Sequence, residues 1–443
     1  MSTGIPTGRH HALARAALYA AVLALLPGTA QSARISYELG ASAMHSDNIG
    51  LTESGTTSDT VLSPLLVFDV EQTGSAVRLQ AGGNLRYPHY VQDSFDDELQ
   101  GALSGSLDWE VIPERLDFRI TDDLSRQSVN VFESFVPSNQ QQVNVFTAGP
   151  RLRARLGAAT SGTLDLLYTN TYAEETAEFQ GDRYSVAARI ERGLRSTDDL
   201  SFNVEAMKTD YDDSGSFFDY TRYDGYVGYT SSLAAFDIQL AAGYSRVEPR
   251  NYDGDSTSPL FRGDIGWQVA PRTTLSAGLS YEFADAAQNL VSRLGADGDG
   301  VPVIGPVVDP ALQIGPQTFR QRRALLGYRF DGERLSVQVN PSYDRIRYLT
   351  ASSEDQEITA VTAYAQYQLR PNLTLSLAAA RQEREYQDLL RNDDSTILNV
   401  GLSRQLSRHW RTQLNYQRWD RDSSAPGQSY VESTLMLSVF YRR

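Results

Sequence analysis

Cysteine is absent from the 443 residues, and lysine occurs once, as Lys208. Without Cys there is no disulfide framework, no thiolate metal site and no cysteine nucleophile. Arg therefore carries almost all of the positive charge, and the formal net charge is −15. That acidic balance argues against a nucleic-acid partner, because phosphate binding needs a basic footprint. Histidine is scarce too: beyond His10 and His11 only His45, His89 and His409 remain. No His, Asp and Glu cluster has metal-ligand spacing, so neither metal nor cofactor is expected. Amphipathic helical periodicity is missing. Beyond residue 32 no apolar run approaches the roughly 20 residues of a membrane-spanning helix.

The first 32 residues differ from the rest. Arg9, His10, His11 and Arg15 precede the apolar run AALYAAVLALL at 16–26, and PGTAQS follows. A basic region, a short apolar core and small residues for cleavage after Ala30 or Ser32 read as a secretory signal. Residues 1–32 are expected to be removed, leaving 33–443 as one domain.

What fills that domain is alternation. In TTLSAGLSYEF (273–283) Leu275, Ala277, Leu279, Tyr281 and Phe283 are apolar, with Thr274, Ser276, Gly278, Ser280 and Glu282 between them. Leu335, Val337, Val339 and Tyr343 repeat the pattern, as do Val361, Ala363, Ala365, Tyr367 and Leu369. A period of two marks strands with one apolar face. Segments of about 10 to 16 residues exceed the five or six usual in soluble sheets. Tight turns fall at Thr73-Gly74-Ser75, Pro113-Glu114-Arg115, Ser161-Gly162, Thr197-Asp198-Asp199 and Leu233-Ala234. They continue at Pro271-Arg272, Asp331-Gly332-Glu333, Pro371-Asn372 and Arg408-His409, with longer polar loops between.

Alternating short turns and long loops predict an all-β fold: a transmembrane antiparallel up-and-down β-barrel of about 18–20 strands, with short periplasmic turns and long extracellular loops. Lipid offers no hydrogen-bond partner, so a spanning sheet must close on itself. An apolar stripe of about nine residues, tilted about 40°, covers about 20 Å of membrane. Tyr87, Tyr168, Tyr281, Tyr343, Tyr367, Tyr416 and Tyr441 share the outward parity and read as interfacial girdles. The last strand, STLMLSVFYRR, resembles the terminal signal read by barrel-assembly machinery, although it ends on Arg442 and Arg443 where that signal ends on Phe or Trp.

A barrel this wide cannot be filled by its own wall side chains. On the inward parity Arg78, Arg86, Arg151, Arg153, Arg155, Arg323, Arg329, Arg370 and Arg404 are candidate lumen-lining cations. Asp108, Glu110 and Glu282, with Asp69, Glu71 and Asp237, are their acidic counterparts. Two readings stand side by side: opposed charged walls that select ions, or charges that pair and only hydrate the wall. On the outward parity, above the apolar stripe, Lys208, Arg345, Arg381 and Arg418 are candidates for contact with lipopolysaccharide phosphates.

Residues 288–317 form the longest connection, and Val301, Val303, Ile304, Val307, Val308, Leu312 and Ile314 make it unusually apolar. It is expected to fold inward as a constriction or lid, or to meet a partner. Its GADGDG lacks the bidentate Glu that a calcium loop needs. His45-Ser46-Asp47 holds triad residue types, but neighbours along one strand end cannot converge as a triad must. No catalytic residue is assigned, and the chain is not expected to be an enzyme.

ISYELGASAMHSDNIGLTESGTTSD, opening the mature chain, is similar to the start of the putative β-barrel porin 2 family, with Asp47, Asn48 and Ile49 in place of that family's Asp-Asn-Ile/Val segment. The resemblance extends loosely over the whole mature chain. It implies a Gram-negative outer-membrane barrel linked to exopolysaccharide production and export. Residue by residue, the Asp-Asn pair reads as an Asx-type turn closing the first loop. The expectation is a passive porin-like conduit for polysaccharide or small hydrophilic solutes. The alternatives are a non-conducting barrel for structure or surface interaction and, more remotely, an outer-membrane lipid hydrolase.

Overall fold

The computed structural model describes residues 33–212, 217–251, 254–290, 314–350 and 354–442. The secretory signal at 1–32, the GADGDG segment and most of the apolar 288–317 connection lie outside the described residues. The first strands in chain order are β1 (Arg34–Ser46), β2 (Asp59–Thr73), β3 (Val77–Arg86), the two-residue β4 (His89–Tyr90), β5 (Gln100–Ile112), β6 (Leu116–Ser128) and β7 (Gln140–Arg155). Next come β8 (Thr160–Ala173), β9 (Gly181–Gly193), β10 (Asp198–Tyr211), β11 (Tyr220–Ser232), β12 (Phe236–Pro249), β13 (Ser256–Ala270) and β14 (Thr273–Ala284). The last are β15 (Phe319–Asp331), β16 (Leu335–Tyr348), β17 (Gln356–Arg370), β18 (Leu373–Tyr386), β19 (Arg391–Gln405), β20 (Trp410–Ser423) and β21 (Tyr430–Arg442).

Each strand pairs antiparallel with the next, and β1 closes the cylinder against β21, Leu39 opposite Tyr441 and Ser46 opposite Thr434. Because β4 only prolongs the edge of β3 against β2, the cylinder has 20 strands. Among the described residues no helix is long and apolar enough to cross a membrane. Strands do the crossing: a 13-residue strand such as β1, tilted about 40°, rises about 33 Å.

Both ends of the cylinder chain and nine short turns share one rim. Gly74 donates its N–H to Val77 O at 2.8 Å, and Gly332 to Leu335 O at 2.8 Å. Between Pro113 and Arg115, Glu114 takes φ 59°, a left-handed value that lets the chain reverse within three residues. Two turns sit a few residues before their expected places. Leu156 N–H reaches Thr160 O at 2.9 Å and Leu194 N–H reaches Asp198 O at 2.8 Å, so Ser161, Gly162, Asp198 and Asp199 already lie in strands. Polar residues are tolerated there because the inner face is wet.

Ladder register fixes which side chains face out. Leu275 and Leu279 on β14, Leu414 on β20, and Leu435, Leu437 and Val439 on β21 share the outer parity and are exposed. Tyr367 and Tyr416 belong with them. Aromatic pairs gather near the turn rim, Trp410 with Tyr441 at 5.2 Å and Phe236 stacked on Trp267 at 5.5 Å, and nearer the loop rim, Tyr168 with Tyr184 at 5.5 Å. Phe283 departs from its expected outward place. Pairing of β14 with β13 ends at Tyr281 opposite Phe261. The freed strand end turns inward, and Phe283 is buried with Met207, Tyr220 and Val247.

Candidate functional site

The lumen is the one compartment that the fold sets apart, and its wall has two kinds of sector. From β3 round to β9 the inner parity is rich in charge, and much of that charge is paired between neighbouring strands. Arg78 lies opposite Asp108, whose carboxylate accepts Arg119 Nε at 2.9 Å. Arg151 reaches Asp165 at 2.5 Å, and Arg153 is paired with Asp117. Arg155 is exposed at the rim. Arg86 donates to Gln100 Oε1 at 2.7 Å, and Glu110 accepts the N–H of Glu114 at 2.8 Å. Further round, Arg262 meets Glu282 at 2.6 Å, Arg323 meets Asp344 at 2.8 Å and Arg329 meets Asp331 at 2.8 Å. The geometry is that of pairs, not of rings of open cations.

Two of the sequence candidates stand apart. Arg370 is a correction: the bulge that ends β17 shifts the register so that it lies opposite Leu373, off the inner parity of Gln368. Arg404 is a correction: it lies opposite Leu373 and shares the parity of the exposed Leu402, so it faces outward beside the turn. Its guanidinium sits low enough to reach headgroups, so an outward Arg costs little there.

From β16 to β20 the wall changes character. Its inner positions read Ser336, Gln338, Asn340 and Ser342, then Thr362, Tyr364, Gln366 and Gln368. Thr374, Ser376, Asn399, Ser403, Gln413, Asn415 and Gln417 continue it, with Ala360, Ala378, Ala380 and Gly401 between them. Charge returns only at the edges of this sector, with Arg411 at the turn rim and Asp344, Arg384, Arg391, Asp393 and Arg421 toward the loops. Two rows repeat across it and its border: Ser276, Gly327 and Asn340 on β14–β16, and Ser376, Gly401 and Asn415 on β18–β20. In each row a Cβ on the glycine would collide with the serine hydroxyl, so glycine makes room for the polar group.

Toward the loop rim the lumen is crossed. Ala284, Ala286, Ala287, Leu290, Ile314 and Phe319 come from the β14–β15 connection and its flanks. They form one buried apolar cluster with Val143, Val145, Ala173 and Phe179 from the wall around β7 and β8, and with Ile346, Tyr348 and Ile358 from β16 and β17. A polar clasp fixes its base. Asp285 accepts Arg183 Nη2 at 2.8 Å and Tyr220 Oη at 2.7 Å. Arg222 donates to Phe283 O at 3.0 Å and to Gln288 Oε1 at 2.9 Å. Burial would raise the Asp285 carboxyl, but Arg183, the Gln288 N–H, Tyr220 and Arg222 hold it below its ordinary range. The β6–β7 connection also reaches inward. Phe132 packs on Tyr386 at 5.1 Å, and Phe135 and Val136 rest against Leu51, Ile397, Trp419 and Tyr430. Sequence alternation could not show this clasp, since Arg183, Tyr220 and Arg222 look like ordinary inner wall until the Asp285 segment arrives.

On the outer face the proposed lipopolysaccharide contacts each have an acidic neighbour: Lys208 with Asp210 at 2.6 Å, Arg345 with Glu357 at 3.2 Å, Arg381 with Asp394 at 2.5 Å and Arg418 with Asp420 at 3.9 Å. His45 faces outward to Thr60 at 3.1 Å, while the Ser46 hydroxyl points inward to Glu432 at 2.6 Å; the three triad types do not converge. Asn48 closes the first loop over a wider span than the expected Asx-type turn, bonding Thr52, four residues on. Its Oδ1 accepts Thr52 N–H at 3.1 Å, and its Nδ2 donates to Thr52 O at 2.8 Å and Val431 O at 3.0 Å. With Asp47 accepting Ser433 N–H at 2.7 Å, it stitches the first strand to the last.

Residues 350–443 match the family model described as "Putative beta-barrel porin 2". The chain is a closed 20-stranded transmembrane β-barrel, similar over its last five strands to that family. The matched stretch covers β17–β21, the opposite end of the chain from the Asp47-Asn48-Ile49 segment. Comparison with curated proteins returns no match. Among solved structures, the siderophore receptor PirA from Pseudomonas aeruginosa aligns with TM-score 0.46 at 11% identity, over 94% of this chain and 81% of that one. The FrpB iron transporter from Neisseria meningitidis gives 0.46 at 10%, over 95% and 83%, and Pseudomonas aeruginosa OccK2 (OpdF) 0.39 at 12%, over 94% and 99%.

Proposed function

We propose that the barrel is a passive, non-catalytic conduit for hydrophilic solutes across the outer membrane of a Gram-negative bacterium, working in exopolysaccharide export. One observation carries the conduit: a closed cylinder with a polar inner face, narrowed by segments folded in from the loop rim. A barrel meant only as a wall would not need a wet interior. The export setting rests on the family resemblance. The cluster that crosses the lumen favours a second reading, a closed barrel serving adhesion or assembly. Planar-bilayer recording of the purified protein separates the two. Stable open steps in potassium chloride are expected; persistent silence with a folded, inserted barrel would leave the closed barrel standing.

A further inference from the structure

Resting on the conduit reading and deepening it, we propose that the inner wall of β16–β20 is a binding track for neutral, polyhydroxylated chains, an uncharged oligosaccharide being the ligand class. The charged sector is a poor candidate because its donors and acceptors already face one another at 2.5–2.9 Å. On the neutral sector three side-chain hydrogen bonds around Asn340 and Tyr364 are long, while Gln413 Nε2 to Asn415 Oδ1 is 3.2 Å. Gln338 Nε2 to Asn340 Oδ1 is 3.4 Å, Asn340 Nδ2 to Thr362 Oγ1 is 3.5 Å and Tyr364 Oη to Gln366 Oε1 is 3.3 Å. A good bond is nearer 2.9 Å, so these groups exchange partners at little cost. Asn415 Nδ2 is buried with no partner among the described residues.

An amide both donates and accepts, and so does a sugar hydroxyl. An anion would find no cation on this wall between its edges, and a cation no carboxylate. Tyr364 adds an aromatic ring, half-buried at mid-track, against which an apolar sugar face can rest. Many weak, equivalent contacts in register are what passage requires, since a ligand must be held well enough to enter and loosely enough to leave. At its upper end the track meets the Phe135 and Val136 segment folded over Ile397 and Trp419, so a bound chain would lie directly beneath the constriction.

The test uses maltohexaose as the neutral probe and a hexamer of galacturonate as the charged one. Isothermal titration on the detergent-solubilised full barrel reads binding without needing an open channel, and bilayer recording reads current block. Maltohexaose is expected to bind and the galacturonate hexamer to bind at least tenfold more weakly. Tyr364→Ala, and separately Gln338→Ala with Gln366→Ala, should weaken maltohexaose about five- to tenfold, as loss of one or two exchangeable contacts implies. Arg151→Gln, on the charged wall, should not. Equal affinity for both probes, or variants that bind like the parent, overturns the track. A silent bilayer with intact titration would remove the conduit and leave the track; open steps with no titratable maltohexaose would do the reverse.

Discussion

Replacing Asp285 by Ala should release the segment that crosses the lumen. Arg183 and Asp285 are nearly sealed, with side-chain exposures of 10% and 1%. Deleting the carboxylate leaves a buried guanidinium and the Tyr220 hydroxyl without their acceptor. Breaking such a pair costs about 3–5 kcal/mol, and each 1.4 kcal/mol is about a factor of ten. The displaced population should rise by about two to three and a half orders of magnitude. Because the chain has no cysteine, Leu290→Cys gives a single thiol at a buried position of the crossing cluster. Reaction with a membrane-impermeant maleimide should be slow in that background and fast once Asp285→Ala is added. The double replacement Arg183→Met with Asp285→Leu should restore much of the protection, since an apolar pair needs no charge partner. Equal labelling with and without Asp285→Ala, or a double variant as reactive as the single one, would refute the clasp. The pH dependence has a definite sign. A carboxyl held below its ordinary value of 3.8 stabilises the clasp fully above that value and loses its contribution only as pH falls beneath it. Labelling should therefore stay slow at neutral pH and accelerate only in strong acid.

Two further outcomes follow from the sorting of the wall. Leu279→Arg, on the exposed outer stripe, should destabilise the inserted barrel by about 2–4 kcal/mol in a urea titration in lipid, whereas Gln338→Arg on the inner face should shift it by less than about 1 kcal/mol; a reversed order would mean that the faces have been misassigned. Asn48→Ala removes one bond that ties the first loop to β21, at Val431 O, and two that brace the loop at Thr52. It should cost about 1–3 kcal/mol, read as a lowered melting temperature and as loss of the folded band in unboiled gels, with an unchanged value counting against the stitch.

Strand number, turn order and outer face were legible in the chain because lipid imposes a period of two on every crossing, and a period survives one misplaced turn. Leu275 through Tyr281 read correctly for that reason, and Phe283 did not, because alternation carries no record of where a neighbouring strand lets go. Arg404 shows another limit. Near a rim an arginine stem snorkels to headgroups, so its charge does not reveal its side. The Arg ladder at 151, 153 and 155 was visible, but partners such as Asp117 and Asp165 sit on other strands, and registers between strands are set by turns and not by composition. The clasp at Asp285 was the least legible feature, since it joins residues about 60 to 100 positions apart through the lumen.

The wall and the constriction differ in what holds them. Every wall strand is tied to both neighbours over most of its length, and β1 and β21 close the last seam from Glu38 to Ser46, so no strand can move without breaking backbone hydrogen bonds that lipid cannot replace. The described residues of the crossing segment have no such ladder. Among its described residues it is held by an apolar cluster and by the few polar contacts of Asp285, Phe283 and Gln288, whose alternative partner is lumen water. Exchange with water is cheap for the neutral hydrogen bonds of Phe283 and Gln288, and dear for the buried Arg183–Asp285 pair and for an apolar face. Motion of the constriction is therefore limited by separating Arg183 from Asp285 and by exposing Leu290, Ile314 and Phe319. The cylinder is therefore held by backbone ladders, and the described ends of the crossing connection by side chains alone.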